Sequence, residues 1–134
     1  MALVLANIGE TELLECALKD ASPEALVLKL YSNNYDGVEA SIAANFTEVS
    51  GGGYAAKSLT RAGWGAAVAG DPSYILYGTA QVFGFTGAVA AVVGYFLVGA
   101  TSGNLYWSER LYVGAGQAFA NGDSLSVTPR FELS

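Results

Sequence analysis

Glu109 is the residue of this sequence with the best claim to chemistry. In the run Leu105 to Leu111 it shares its parity with Trp107 and Leu111, which places it on the apolar side of a strand. A carboxylate there is either paired or acts as an acid. The cations available to pair with it are Arg61, Arg130 and Lys57, and a structural ion pair of Glu109 with Arg61 or Arg130 is the expectation. Glycan hydrolysis would need a second carboxylate at a defined separation, which spacing along the chain does not supply. Cys16 is the sole cysteine and there is no histidine. An intramolecular disulfide is therefore impossible. A thiol nucleophile would lack a histidine base, and zinc, copper and haem would lack their usual ligands. The segment Gly51 to Ser58 touches the phosphate-loop pattern, but Ala56 stands where close backbone approach needs glycine, and no strong helix follows. It reads as a Gly-rich turn feeding a strand. Glu12 and Glu15, one helical turn apart, read as a solvated face. Trp64, Trp107 and the eight tyrosines invite a sugar-binding platform, yet such residues are more often core and subunit-interface material. Trp64, Trp107, Tyr95 and Tyr112 are the interface candidates. No catalytic, cofactor-binding or metal-binding residue is assigned, and no enzyme is expected.

The elements that position these residues must fit a chain of 134 residues, the size of one domain spanning 1–134. Hydrophobic residues make up 52% and charged residues 13%, against a typical charged share of about 25%. Either Ser, Thr, Asn, Gly and Tyr cover the surface, or apolar surface is buried against other chains. With a net charge of −6 and six Lys and Arg in all, the chain lacks the clustered cations that a phosphate backbone demands; no nucleic-acid partner is expected. The opening Met1 to Leu14 has no basic stretch and too short an apolar run to read as a signal peptide.

Ile8 to Leu18 carries apolar residues at helical spacing, with Asn7 as the expected cap and Ala21 to Glu24 as the stop. Cys16 falls on its apolar side as a small buried hydrophobe. Beyond it the pattern is β. Ala25 to Tyr31 and Tyr54 to Leu59 read as strands, Gly63 to Ala69 as a further segment, and Tyr74 to Phe85 is rich in β-formers. Val89 to Gly99 reads as one strand, apolar on both faces. Asn104 to Val113 and Ser124 to Leu133 alternate, the latter with Pro129 marking an edge or a bulge. Turns fall at Gly70 to Pro72, Ala100 to Asn104 and Asn121 to Asp123.

Val82 to Ala100 is nineteen residues without a charge, long enough to cross a membrane as a helix. Thr86 and Gly87 split it, β-formers flank it, and Lys and Arg do not bracket it. A strand covered on both faces accounts for the same letters, and no membrane partner is expected. The expected fold is mainly β: an antiparallel β-sandwich or jelly-roll-like barrel of about seven or eight strands with a short N-terminal helix.

Four fragments in order resemble a family of small virion structural proteins of tailed bacteriophages. They are Thr47-Glu48 with Gly53-Tyr54-Ala55, Gly94-Tyr95-Phe96, Trp107 with Glu109-Arg110, and Asn121-Gly122-Asp123 with Val127-Thr128-Pro129. The resemblance spans roughly Leu26 to Leu133 and carries no catalytic residue over. It implies a particle protein. The first expectation is a capsid decoration (cement) protein that binds the outer capsid surface, stabilises the head by clamping neighbouring copies of the major capsid protein, and associates with itself as a homotrimer. Such a protein is made in the host cytoplasm and located on the virion. The second is a tail or tail-fibre component, including a receptor-binding one; a glycan-active enzyme using Glu109 is a third reading. Segment 1–24 lies outside the resemblance and is the candidate for docking.

Overall fold

The apolar run from Val89 to Gly99 breaks at Val93, and the break explains much of the architecture. In the computed structural model, which describes residues 3–20 and 22–133, the chain forms β1 (Leu3–Leu5), α1 (Asn7–Leu18), β2 (Leu26–Tyr31), β3 (Lys57–Leu59), β4 (Ser73–Leu76) and β5 (Gln81–Gly84). It continues through β6 (Val89–Val92), β7 (Gly94–Gly99), β8 (Leu105–Arg110), β9 (Gln117–Phe119), β10 (Ser124–Val127) and β11 (Arg130–Leu133). β7 is central in a five-stranded antiparallel sheet of order β1-β8-β7-β2-β3, whereas β6 pairs with β9 outside it. Two further pairs, β5 with β10 and β4 with β11, tie the middle of the chain to its last strands.

The fold is the expected antiparallel sandwich with one short helix; it is not a closed barrel. Strands outnumber the expectation because single runs serve two pairings. Tyr74 to Phe85 divides into β4 and β5, and the last run divides at Thr128-Pro129, where the chain changes partner from β5 to β4. Pro129 has no N–H to give to a ladder, and its carbonyl accepts from the Tyr77 N–H. Two strands carry no clear period. β1 consists of three apolar residues laid along β8, and β9 is as short.

The main sheet is covered on both faces. One face presents Leu26, Leu28, Leu30, Tyr95, Leu97 and Trp107 to Phe83, Phe85, Val89, Val127 and Phe131 of the short pairs. The other presents Tyr31, Phe96 and Val98, and the segment between β2 and β3 closes over it. The Phe46 ring stacks on Phe96 at 5.1 Å and meets Tyr31 edge-on at 4.9 Å. Every residue of β7 is buried. A bulge between β7 and β8 opposes Leu97 to Trp107 but Val98 to Leu105, which leaves Tyr106 as the extra residue and turns it into the larger core beside Trp107. The bulge sets Tyr106 and Trp107 on one face, and because both faces of the sheet are covered, Leu105 to Ser108 are all buried and the two-faced alternation expected for β8 is not seen.

α1 crosses β8 with Gly9 against the strand; a Cβ at that position would overlap the Tyr106 carbonyl. Its N-cap is Ala6, and no side chain caps it. Asn7 is not the cap, because neighbouring backbone already satisfies the first N–H groups: Ala6 donates to the Tyr106 carbonyl and Asn7 to that of Glu39. The helix ends at Leu18; of the expected stop, Ala21 lies outside the described residues, as do Met1, Ala2 and Ser134.

Gly94 opens β7 opposite Arg110, where a Cβ would overlap the Glu109 carbonyl and crowd the Tyr31 ring. Gly84 in β5 has open space around its missing Cβ. Gly94→Ala is therefore expected to cost about 1–3 kcal/mol or more in urea unfolding, and Gly84→Ala to be neutral or slightly stabilising. Equal effects at the two sites would show that close approach at Gly94 does not constrain the sheet.

Candidate functional site

Glu109 finds its partner across the β7–β8 ladder. Tyr95 is directly opposite it in register, and the Tyr95 hydroxyl donates a hydrogen bond to Glu109 Oε2. Burial, then this bond and the charge of Glu109, push the Tyr95 phenol far above its ordinary range, so the phenol stays protonated and remains the donor. The expected ion pair is not formed. Arg130 pairs with Glu132 at 3.0 Å and lies over the Tyr74 ring at 4.3 Å; Lys57 lies over the Phe83 ring at 5.5 Å. Arg61 reaches the Cys16 sulfur, its Nη1 at 3.6 Å from Sγ. Glu109 is half-buried, so a neutral donor one strand away suffices and no counter-charge is drawn inward.

The interface candidates divide. Tyr95 and Trp107 are each 2% exposed and belong to the interior, since both faces of the sheet are covered. Trp64 and Tyr112 are half-buried. Trp107 joins an aromatic cluster, 6.0 Å from the Trp64 ring and 4.9 Å from that of Phe131. Its indole N–H is buried without a hydrogen-bond partner; it lies close enough to the Tyr95 oxygen to favour the ionised phenol slightly, but in no bonding geometry.

Two charged residues organise loops in ways that parity could not reveal. Arg110, its side chain 10% exposed, donates to Asp36 Oδ1 at 2.8 Å, Asn34 Oδ1 at 2.6 Å and the carbonyls of Tyr112 and Gly114 at 2.8 Å. It thereby clamps the turn after β2 to the turn after β8. Glu24 caps the β7–β8 turn by accepting from the Thr101 and Ser102 N–H groups, the Ser102 hydroxyl and the Tyr106 hydroxyl. Burial pushes the Glu24 carboxyl up, but the bonds from Ser102, Thr101 and Tyr106 together outweigh it and hold the pKa below its ordinary value. The signal in the sequence was slight: an acid just before a strand, and a hydroxyl-rich turn far along the chain.

α1, the turn after β3 and strands β4, β8 and β11 enclose a half-open cavity of about 380 Å³. Leu13, Ile75, Trp64, Trp107 and Phe131 supply apolar wall; Cys16 and Arg61 lie at its helix side. The volume falls within the range of small-molecule sites. Nothing in the spacing of the sequence brings Cys16 of α1 and Arg61 together; the packing of α1 on β8 does. Among the described residues no three His, Cys, Asp or Glu side chains cluster to hold a metal, and no helix is long and apolar enough to cross a membrane. Compared with known protein families, curated proteins and solved structures, the chain matches none.

Two measurements check these assignments. Because the Glu24 pKa is lowered by folding, its contribution to stability is fully present above the unfolded value near 4.5 and is lost as pH falls through the folded value. Urea unfolding should show Glu24→Gln clearly less stable than wild type near neutral pH, with the gap narrowing as pH falls below the unfolded value near 4.5; a gap that persists undiminished in acid would refute the cap. Tyr95→Phe leaves Glu109 without its donor and is expected to cost on the order of 1–3 kcal/mol, while Glu109→Gln, which keeps an acceptor, costs less. The reverse order would mean that Glu109 answers to another partner.

Proposed function

We propose that this chain is a structural protein of a tailed-bacteriophage virion: a non-enzymatic capsid decoration protein that binds the outer surface of the head as a homotrimer and clamps neighbouring coat subunits. The observation that carries the reading is the outer face of α1. With Gly9 on β8 and Leu13 turned to the core, the helix leaves Leu14 63% and Leu18 85% exposed. Val113, Val82, Ile42 and Val38 are exposed as well. A chain with so little charge and so much outward apolar surface is suited to burial against partners. α1 also lies in segment 1–24, outside the part of the chain that resembles phage proteins, where a docking element particular to one capsid would sit. Closed cyclic association would cover part of the same surface, and a site repeated over the capsid would bind the trimer with avidity.

The test uses phage heads from which the protein has been deleted or stripped. Such heads should melt at lower temperature, and adding the protein back should restore them, because a ligand of the assembled state stabilises that state. Leu14→Ser with Leu18→Ser should bind heads at least about tenfold more weakly while keeping the wild-type fold, as loss of central apolar anchors does. Unchanged heads, with the protein labelling tails or host cells in electron micrographs, would replace the head reading by the tail one.

A further inference from the structure

The cavity beside α1 is apolar on most of its wall yet carries a cation at its rim. Of the six Lys and Arg in the chain, four pair with carboxylates: Lys19 with Glu15, Lys29 with Glu48, Arg110 with Asp36 and Arg130 with Glu132. Lys57 lies over an aromatic ring. Arg61 is exposed and has no carboxylate partner among the described residues; its guanidinium bonds to the Cys16 thiol, a weak acceptor. In a chain of net charge −6, an arginine left over at the mouth of an aromatic cavity is an unused anion receptor. The other charged group on the wall is Glu24, whose two oxygens already accept four hydrogen bonds and have no capacity left for a ligand cation. Glu12 and Asp20 line an adjoining depression in which Arg61 takes no part, so a carboxylate has one favourable end.

We propose that this cavity binds a small amphiphilic carboxylate, with its apolar body against Trp64, Ile75 and Phe131 and its carboxylate on the planar fork of Arg61. The guanidinium stays at the solvent edge, so pairing with an anion does not require burying it. Displacing water from the aromatic wall supplies the non-directional part of the affinity. The site is independent of where the protein sits in a particle.

Both tryptophans of the chain and its single cysteine lie on the cavity wall, so the unlabelled protein reports its own occupancy. Purified protein is titrated with decanoate, below its micelle concentration, and with decanol, which has the same chain and no charge. Tryptophan fluorescence and the rate of Cys16 alkylation by neutral iodoacetamide are followed. Decanoate should change the fluorescence saturably and slow alkylation over the same concentrations, and it should bind about tenfold more tightly than decanol, the worth of one charge-assisted contact. Arg61→Gln, a change at an exposed position, should keep the fold by circular dichroism, retain decanol binding and lose the preference for decanoate. The proposal is overturned if decanoate gives no saturable change, if it binds no better than decanol, if alkylation is equally fast with decanoate bound, or if Arg61→Gln keeps the preference.

Discussion

The structure rests on the need to cover β7 twice. Gly94 to Gly99 contains no side chain that water would welcome on either face apart from one tyrosine hydroxyl, and every residue in it is buried. A strand of that composition requires a layer above and a layer below. The short pairs β5–β10, β4–β11 and β6–β9 form one layer, and the segment between β2 and β3, anchored by Phe46, forms the other. Both layers are assembled from pieces distant in sequence, so the C-terminal strands and the loop after β2 depend on the same central strand.

Glu48, Tyr54, Gly94, Tyr95, Glu109, Arg110, Gly122 and Asp123 serve mostly to hold these layers together. Glu48 accepts from the Tyr54 hydroxyl at 3.0 Å and from Lys29 at 2.9 Å, while the Tyr54 oxygen accepts the Leu30 N–H. Tyr95 donates to Glu109 across the ladder, Gly94 admits the Glu109 carbonyl, and Arg110 clamps two turns. Gly122 and Asp123 exchange backbone hydrogen bonds with Phe85 and close the turn into β10. Such letters specify a scaffold. Function resides on surfaces and not in the scaffold, and here the outward features are the exposed leucines of α1 and the cavity that the helix walls off.

Those two features share a cause. α1 can lie flat on β8 because Gly9 has no side chain, and lying flat it divides its apolar residues. Leu13 and Cys16 turn to the cavity, whereas Leu14 and Leu18 face solvent. A helix that buried its whole apolar stripe would leave neither an exposed apolar face nor a chamber between itself, Trp64 and Phe131.

The sequence by itself determined the β character, a choice between antiparallel sandwich and jelly-roll-like barrel that the structure settled as sandwich, the single N-terminal helix and the double burial of the strand around Tyr95 to Val98, because these follow from the period and length of apolar runs. It also placed the turns at Gly70 to Pro72, Ala100 to Asn104 and Asn121 to Asp123, where glycine, proline and short polar side chains act locally. Tertiary structure alone decided which runs split between sheets. The breaks at Val93 and Pro129 arise from pairing partners far along the chain, and a residue cannot announce in its own neighbourhood that its partner has changed. The bulge at Tyr106 moved Leu105 to the opposite face from Trp107, since one inserted residue reverses the faces on either side of it, while Trp107 and Glu109 beyond it kept their shared face. Glu109 shows the limit most plainly: its composition of neighbours called for a cation, but its register supplied Tyr95. The meeting of Arg61 with Cys16, and the cavity they border, likewise depends on how α1 packs, which no spacing along the chain encodes.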